Sequence, residues 1–156
     1  MIPRRIKLRN FLSYRECDLD FSGLHVAVLT GRNGDGKSSL LEAMTWALWG
    51  EARGRYEDDR IYLGEDEMLV DFLFQLDRDT FQVVRKRTRG RSSGALDLFQ
   101  IDDDGYRIPR SGSTMRETQA EINALQGHGA TGFEAWPEPG GVLVNGNPNF
   151  TRRKTS

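Results

Sequence analysis

The chain has 156 residues, 37% of them hydrophobic, enough for one modest domain with a real core. Its 22 Lys and Arg against 23 Asp and Glu give a formal net charge of -1, so the molecule as a whole has no field that would gather a polyanion. A single cysteine, Cys17, excludes an intramolecular disulfide and fits a reducing cytoplasm; no apolar stretch approaches the roughly 20 residues of a membrane span, and the N-terminus has no signal-peptide core.

Charge is unevenly placed. Arg4, Arg5, Lys7, Arg9 and Arg15 crowd the first 15 residues with no acid among them, acids dominate 57–79, and a basic run follows from Arg85 to Arg91. Arg4 to Asn10 alternates, with Ile6 and Leu8 on one face and Arg5, Lys7 and Arg9 on the other, the pattern of a half-buried strand with a charged outer face. That face reads as a solvated strand edge before it reads as a DNA contact. Phe11 to Tyr14 looks like a turn, Cys17 to Phe21 alternates again, and Ser22-Gly23 breaks it. His25 to Thr30 is nearly continuous in apolar character, which suggests a strand buried on both faces.

The next stretch, Gly31-Arg-Asn-Gly-Asp-Gly-Lys-Ser-Ser39, fits G-x-x-x-x-G-K-[ST] with no gap and sits between a strand pattern and a helix pattern. Gly31, Gly34 and Gly36 let the backbone take positive φ and approach an anion, and successive backbone N–H groups make a nest for phosphate oxygens. The helix start adds unpaired N–H groups and the positive end of its dipole. Lys37 reaches the β- and γ-phosphates in such a loop, and the Ser38 hydroxyl ligates Mg²⁺. Asp35 opposes an anion unless its carboxylate points away. Ser38 to Trp49 then reads as a helix stopped by Gly50, with Leu40, Leu41, Met44, Ala47 and Leu48 as its core stripe and Trp46 and Trp49 covering its end.

Glu51 to Leu63 is polar and reads as a surface loop without regular structure. Met68 to Leu76 and Thr80 to Thr88 form two strands about a turn at Asp77 to Asp79, and Ala95 to Ile101 forms a third, giving an antiparallel meander. Asp102-Asp-Asp-Gly105 reads as a hairpin turn in preference to a Mg²⁺-binding acid at a strand end. Thr114-Met-Arg-Glu117 has capping-box spacing, and Met115, Thr118, Ile122 and Leu125 share one face of the short helix it opens. From Gln126 onward no period is visible. His25 and His128 lack partners at metal-ligand spacing, so zinc is not expected.

Arg9-Asn-Phe-Leu-Ser-Tyr14, Leu19 to Gly23, Leu29 to Ser39 and Met44 to Gly50 together resemble the N-terminal ATPase segment of SbcC-type proteins, the SMC-like, ABC-class DNA-repair ATPases. Gly64 to Met68, the meander and Arg116 to Glu121 extend the resemblance over about residues 2–125. It implies an α/β P-loop NTPase fold, the N-terminal lobe of an ABC-type head with an antiparallel β-meander subdomain. On that reading 1–63 is the core, 64–110 the antiparallel subdomain, 114–125 a helix and 126–156 an irregular or diverged tail. It implies ATP and Mg²⁺ as cofactors, held by Gly31, Asn33, Gly34, Asp35, Gly36, Lys37, Ser38 and Ser39, with Ser38 on the metal. Ser13 would lie near the adenosine, although Leu12 stands where the family often has Arg. It implies as partners a C-terminal lobe of the same ATPase, an SbcD-type nuclease, double-stranded DNA and a second head joined through ATP. No catalytic residue stands out, so ATP hydrolysis is expected only when a C-terminal lobe completes the site. Apolar sheet edges are expected to favour association. The alternatives are a complete small phosphate-loop kinase or NTPase, and a non-enzymatic DNA-binding module using Arg5, Lys7, Arg9 and Arg85 to Arg91.

Overall fold

A computed structural model describes residues 1–21, 28–29, 37–50, 57–91, 94–129 and 151–152. Strands β1 (Ile2–Phe11) and β2 (Tyr14–Asp20) form a hairpin, and β3 (Val28–Leu29) precedes helix α1 (Lys37–Trp49). The meander follows as β4 (Glu67–Leu76), β5 (Asp79–Thr88), β6 (Ala95–Ile101) and β7 (Arg107–Pro109), then helix α2 (Met115–Gly129) and β8 (Thr151–Arg152).

β1, β2 and the meander make one antiparallel sheet in the order β2-β1-β4-β5-β6-β7, and β3 pairs in parallel with β8. The alternation in β1 works as its sequence requires: Ile6 and Leu8 are buried, while Lys7 and Arg9 are exposed. The strand is not an edge, however. It runs between β2 and β4, so Arg5, Lys7 and Arg9 lie opposite Asp20, Asp18 and Glu16 of β2, and Lys7 also opposite Asp71 of β4. The register with β4 shifts between Pro3 and Arg5, where proline supplies no ladder donor.

One face of the sheet is covered. Ile6, Leu8, Met68, Val70, Phe72, Phe74, Val83 and Leu98 pack with Leu40, Ala43, Met44, Ala47 and Leu48 of α1 and Ile122 of α2 in a single core. α1 lies against β1, β4 and β5, and α2 against β6 and α1. The expected α1 stripe is in the core, and Ala43 and Trp46 join it, so the helix is buried nearly all round.

Four expectations change in detail. The turn at Phe11 to Tyr14 tightens to Leu12-Ser13, because Phe11 and Tyr14 already pair across the hairpin. Glu51 to Leu63 is not wholly irregular: Glu57–Arg60 is a 3-10 turn, and Ile61 bridges to Phe11 with both side chains buried. α2 runs four residues past Leu125, to Gly129. The edges of the six-stranded sheet are not apolar, since β2 carries Arg15, Glu16, Asp18 and Asp20 and β7 has three residues, while the side chains at the edges of the β3–β8 sheet lie outside the described residues. Charged and short edges resist further strand pairing. The turn at Asp102 is as expected: its Oδ1 accepts N–H bonds from Asp104 at 3.0 Å and Tyr106 at 2.8 Å.

Candidate phosphate site at the start of the first helix

Gly31, Asn33, Gly34, Asp35 and Gly36 lie outside the described residues. What the structure gives is the frame around them. β3 ends at Leu29, and α1 begins at Lys37, so the segment between them opens directly onto a helix N-terminus headed by Lys37 and Ser38. The first turn of α1 contains no acid. Among the described residues no carboxylate of the helix's own first turn caps its N–H groups or opposes its dipole.

Ser39, in the third position of α1, has its Oγ 3.4 Å from Ser13 Oγ. The structure thus brings together the β1–β2 turn and the helix start, 26 positions apart in sequence. That turn is unusual in its backbone. Asn10 has φ 52 and Leu12 has φ 49, a region that asparagine tolerates and leucine seldom enters. It is held there by part of the polar segment between α1 and β4. The Leu12 N–H donates to Arg60 O at 2.6 Å, and the Tyr62 N–H donates to Asn10 O at 2.8 Å. Such over-determined backbone strain gathers at functional sites.

One turn beyond Ser39, Glu42 lies with its Oε1 2.9 Å from Nε of Arg60, a guanidinium with no exposed surface. The pair is ionic, not a hydrogen bond, because Nε and Nη1 of Arg60 lack an aligned acceptor. At the far end of α1, Arg85 Nε donates to Ala47 O at 3.1 Å, and Gln119 Nε2 donates to Leu48 O at 2.7 Å. Sequence patterns do not single out Arg60, Glu42, Arg85 or Gln119 for these places. Arg85 carries a signal: strand alternation from Phe81 and Val83 places it facing the core. Arg60 carries none, since its burial depends on where the chain folds back.

The basic side chains of the alternative DNA-binding reading are largely spoken for. Arg5 forms a two-pronged pair with Asp18 at 2.9 and 2.7 Å, which holds the Asp18 carboxyl below its ordinary value. Lys86 pairs with Glu67 and Arg87 with Asp58, and Arg89 donates to Glu65 O. Cys17 is half-buried opposite Leu8, and desolvation pushes its thiol up, away from thiolate reactivity. Among the described residues no cluster of His, Cys, Asp or Glu is arranged to hold a metal, and no helix is long and apolar enough to cross a membrane.

A protein-family model described as an AAA domain matches residues 5–133. The SbcC component of the SbcCD nuclease of Deinococcus radiodurans is 35% identical over 133 residues, covering 81% of this chain and 14% of that protein. A DNA double-strand break repair Rad50 ATPase of Thermoplasma volcanium is 37% identical over 126 residues, covering 80% and 14%. The chain therefore spans about one seventh of the length of these relatives. Among solved structures, the recombination mediator protein RecF with ATP matches with a TM-score of 0.54 at 22% identity, over 69% of this chain and 27% of that one. A second RecF structure matches at 0.55 and 21%, over 77% and 29%. The fold is that of a P-loop ATPase head lobe, as the resemblance implied.

Proposed function

The chain belongs to the AAA domain family, and on that premise we propose that it is the ATP- and Mg²⁺-binding N-terminal lobe of an SMC-like ATPase head of SbcCD type. The observation that carries this reading is the position of Lys37. The residue that ends the glycine-rich pattern is also the first residue of a buried helix whose first turn is free of acid. In this reading the backbone of Gly31, Asn33, Gly34, Asp35 and Gly36 cradles the phosphates, Lys37 draws in the β- and γ-phosphates, and Ser38 with Ser39 faces the metal. Ser13, adjacent to Ser39, borders the nucleoside. Bound Mg²⁺ supplies charge that offsets the β- and γ-oxygens.

Hydrolysis needs a metal-binding acid on a neighbouring strand and a group that orients water. Asp102 is occupied in its own turn and Glu42 with Arg60, so neither is offered for that work. A C-terminal lobe of the same ATPase would supply those groups, and ATP would join two heads. By similarity to the named relatives, the whole assembly would act with an SbcD-type nuclease on double-stranded DNA ends in the cytoplasm. The alternative of a free-standing basic module is disfavoured by the burial of Arg85 and the pairing of Arg5, Lys86 and Arg87.

Titration with ATP and Mg²⁺ tests the reading. The chain binds nucleotide, Lys37→Ala removes binding, and steady-state turnover stays at background. Multiple turnovers that vanish in Lys37→Ala would instead show a self-sufficient enzyme, and absence of binding would overturn the assignment altogether.

A further inference from the structure

Helix α1 has two ends, and only one belongs to the phosphate site. The other lies about 18 Å away at about 1.5 Å per residue. Buried helix ends must find partners for their last carbonyls, and here side chains from two other elements supply them. Arg85 of β5 is 3% exposed. Its Nε donates to Ala47 O at 3.1 Å, its Nη2 donates to Gln119 Oε1 at 2.5 Å, and its guanidinium carbon lies 5.7 Å from the centre of the Trp46 ring. Gln119 of α2 accepts that bond and in turn donates to Leu48 O at 2.7 Å and Asn123 Oδ1 at 3.0 Å. Gly50 completes the end with φ 66, and a Cβ there would meet Arg85 Nη1 at 2.7 Å.

A buried cation against the negative end of a helix whose positive end faces the phosphate loop complements the dipole at both termini. The helix between them buries its own Leu40, Leu41, Ala43, Met44, Trp46 and Leu48 against β1, β4, β5 and α2. Close-packed interiors transmit displacement, so α1 moves as a unit or not at all. We propose that Arg85 and Gln119 are positioning residues for the nucleotide site, clamping the far end of α1 and coupling its Lys37 start to α2. The inference rests on the nucleotide-binding reading above. Linkage makes it reciprocal: what loosens the clamp weakens nucleotide binding, and nucleotide tightens α2.

The test uses the full 156-residue chain with ATP and Mg²⁺ as the probe. Nucleotide slows amide exchange at residues 115–122 of α2 by more than it does in β6 and β7, which report general stabilisation. In Gln119→Ala, checked as folded by circular dichroism, that excess disappears and ATP affinity falls about fivefold. Arg85→Lys, which keeps a cation and a donor for Ala47 O, retains more affinity than Arg85→Met. Gln119→Ala decides the matter should the buried Arg85 variants fail to fold. A merely structural clamp would lower Tm in Gln119→Ala while leaving affinity and the exchange excess unchanged; that result overturns the coupling and leaves the nucleotide site standing. No ATP binding by the unaltered chain overturns both.

Discussion

Arg60 is a charge taken wholly out of water that, among the described residues, has one ionic contact and no aligned hydrogen bond at Nε or Nη1. Removing its partner strands a buried cation, whereas removing the cation leaves a carboxylate about a third exposed, which water can solvate. Glu42→Ala is therefore expected to cost about 3 kcal/mol in urea unfolding, and Arg60→Met clearly less. Equal losses would contradict this account of the pair. Asp58 is a different kind of charge, only half-buried and well bonded. Its carboxyl is held below the ordinary value, first by the Arg87 guanidinium at 2.8 Å and then by the Gly90 N–H. A carboxylate depressed in the folded state adds stability above its unfolded value of about 3.9 and loses it as pH falls through the folded value. The Tm gap between the unaltered chain and Asp58→Asn should accordingly be full at neutral pH and close below about pH 4; a gap undiminished near about pH 2.5 would refute the assignment.

At the level of elements, the ends of the helices carry the specific chemistry. The capping box of α2 forms in full: the Glu117 N–H donates to Thr114 Oγ1 at 3.1 Å, and Glu117 Oε2 accepts from the N–H groups of Thr114 at 3.2 Å and Ser113 at 2.6 Å. Thr114→Ala is expected to cost about 1 kcal/mol in chemical denaturation. At the end of α1, Gly50→Ala meets two penalties at once, positive φ and the approach to Arg85. Its cost should exceed the roughly 1 kcal/mol gained when the same change is made at a compatible site, and with opposite sign. The β1–β2 turn is a third such place. Nothing local favours leucine at φ 49, and the bonds to Arg60 O and Asn10 O impose the shape.

For the whole molecule, the sheet is a platform with one apolar face buried under α1 and α2 and one solvated face on which charges meet their opposites. The proposed nucleotide site sits where the platform, the buried helix and the strained turn converge. A ligand that binds only the folded chain raises stability by about 2.7 kcal/mol at about 100 times its Kd. For a domain of this size, that corresponds to a Tm rise of about 5 to 10 °C. ATP with Mg²⁺ should produce such a shift in the unaltered chain and none in Lys37→Ala, read by differential scanning fluorimetry.

The apolar period of α1, the alternation in β1, β4 and β5 and the capping box of α2 were legible because each depends on contacts within a few residues. Local chemistry of that kind is written in spacing. The closeness of Ser13 to Ser39, the central place of β1, the 3-10 turn at Glu57–Arg60 and the burial of Arg60 were not, because each depends on which distant segment comes to lie alongside. Arg85 shows the boundary between the two. Sequence presented it as one cation in a basic run, with alternation hinting at an inward direction. Only the arrival of α1 and α2 above the sheet gave that charge carbonyls and an amide to bind, and so turned a surface residue by composition into a core residue by packing.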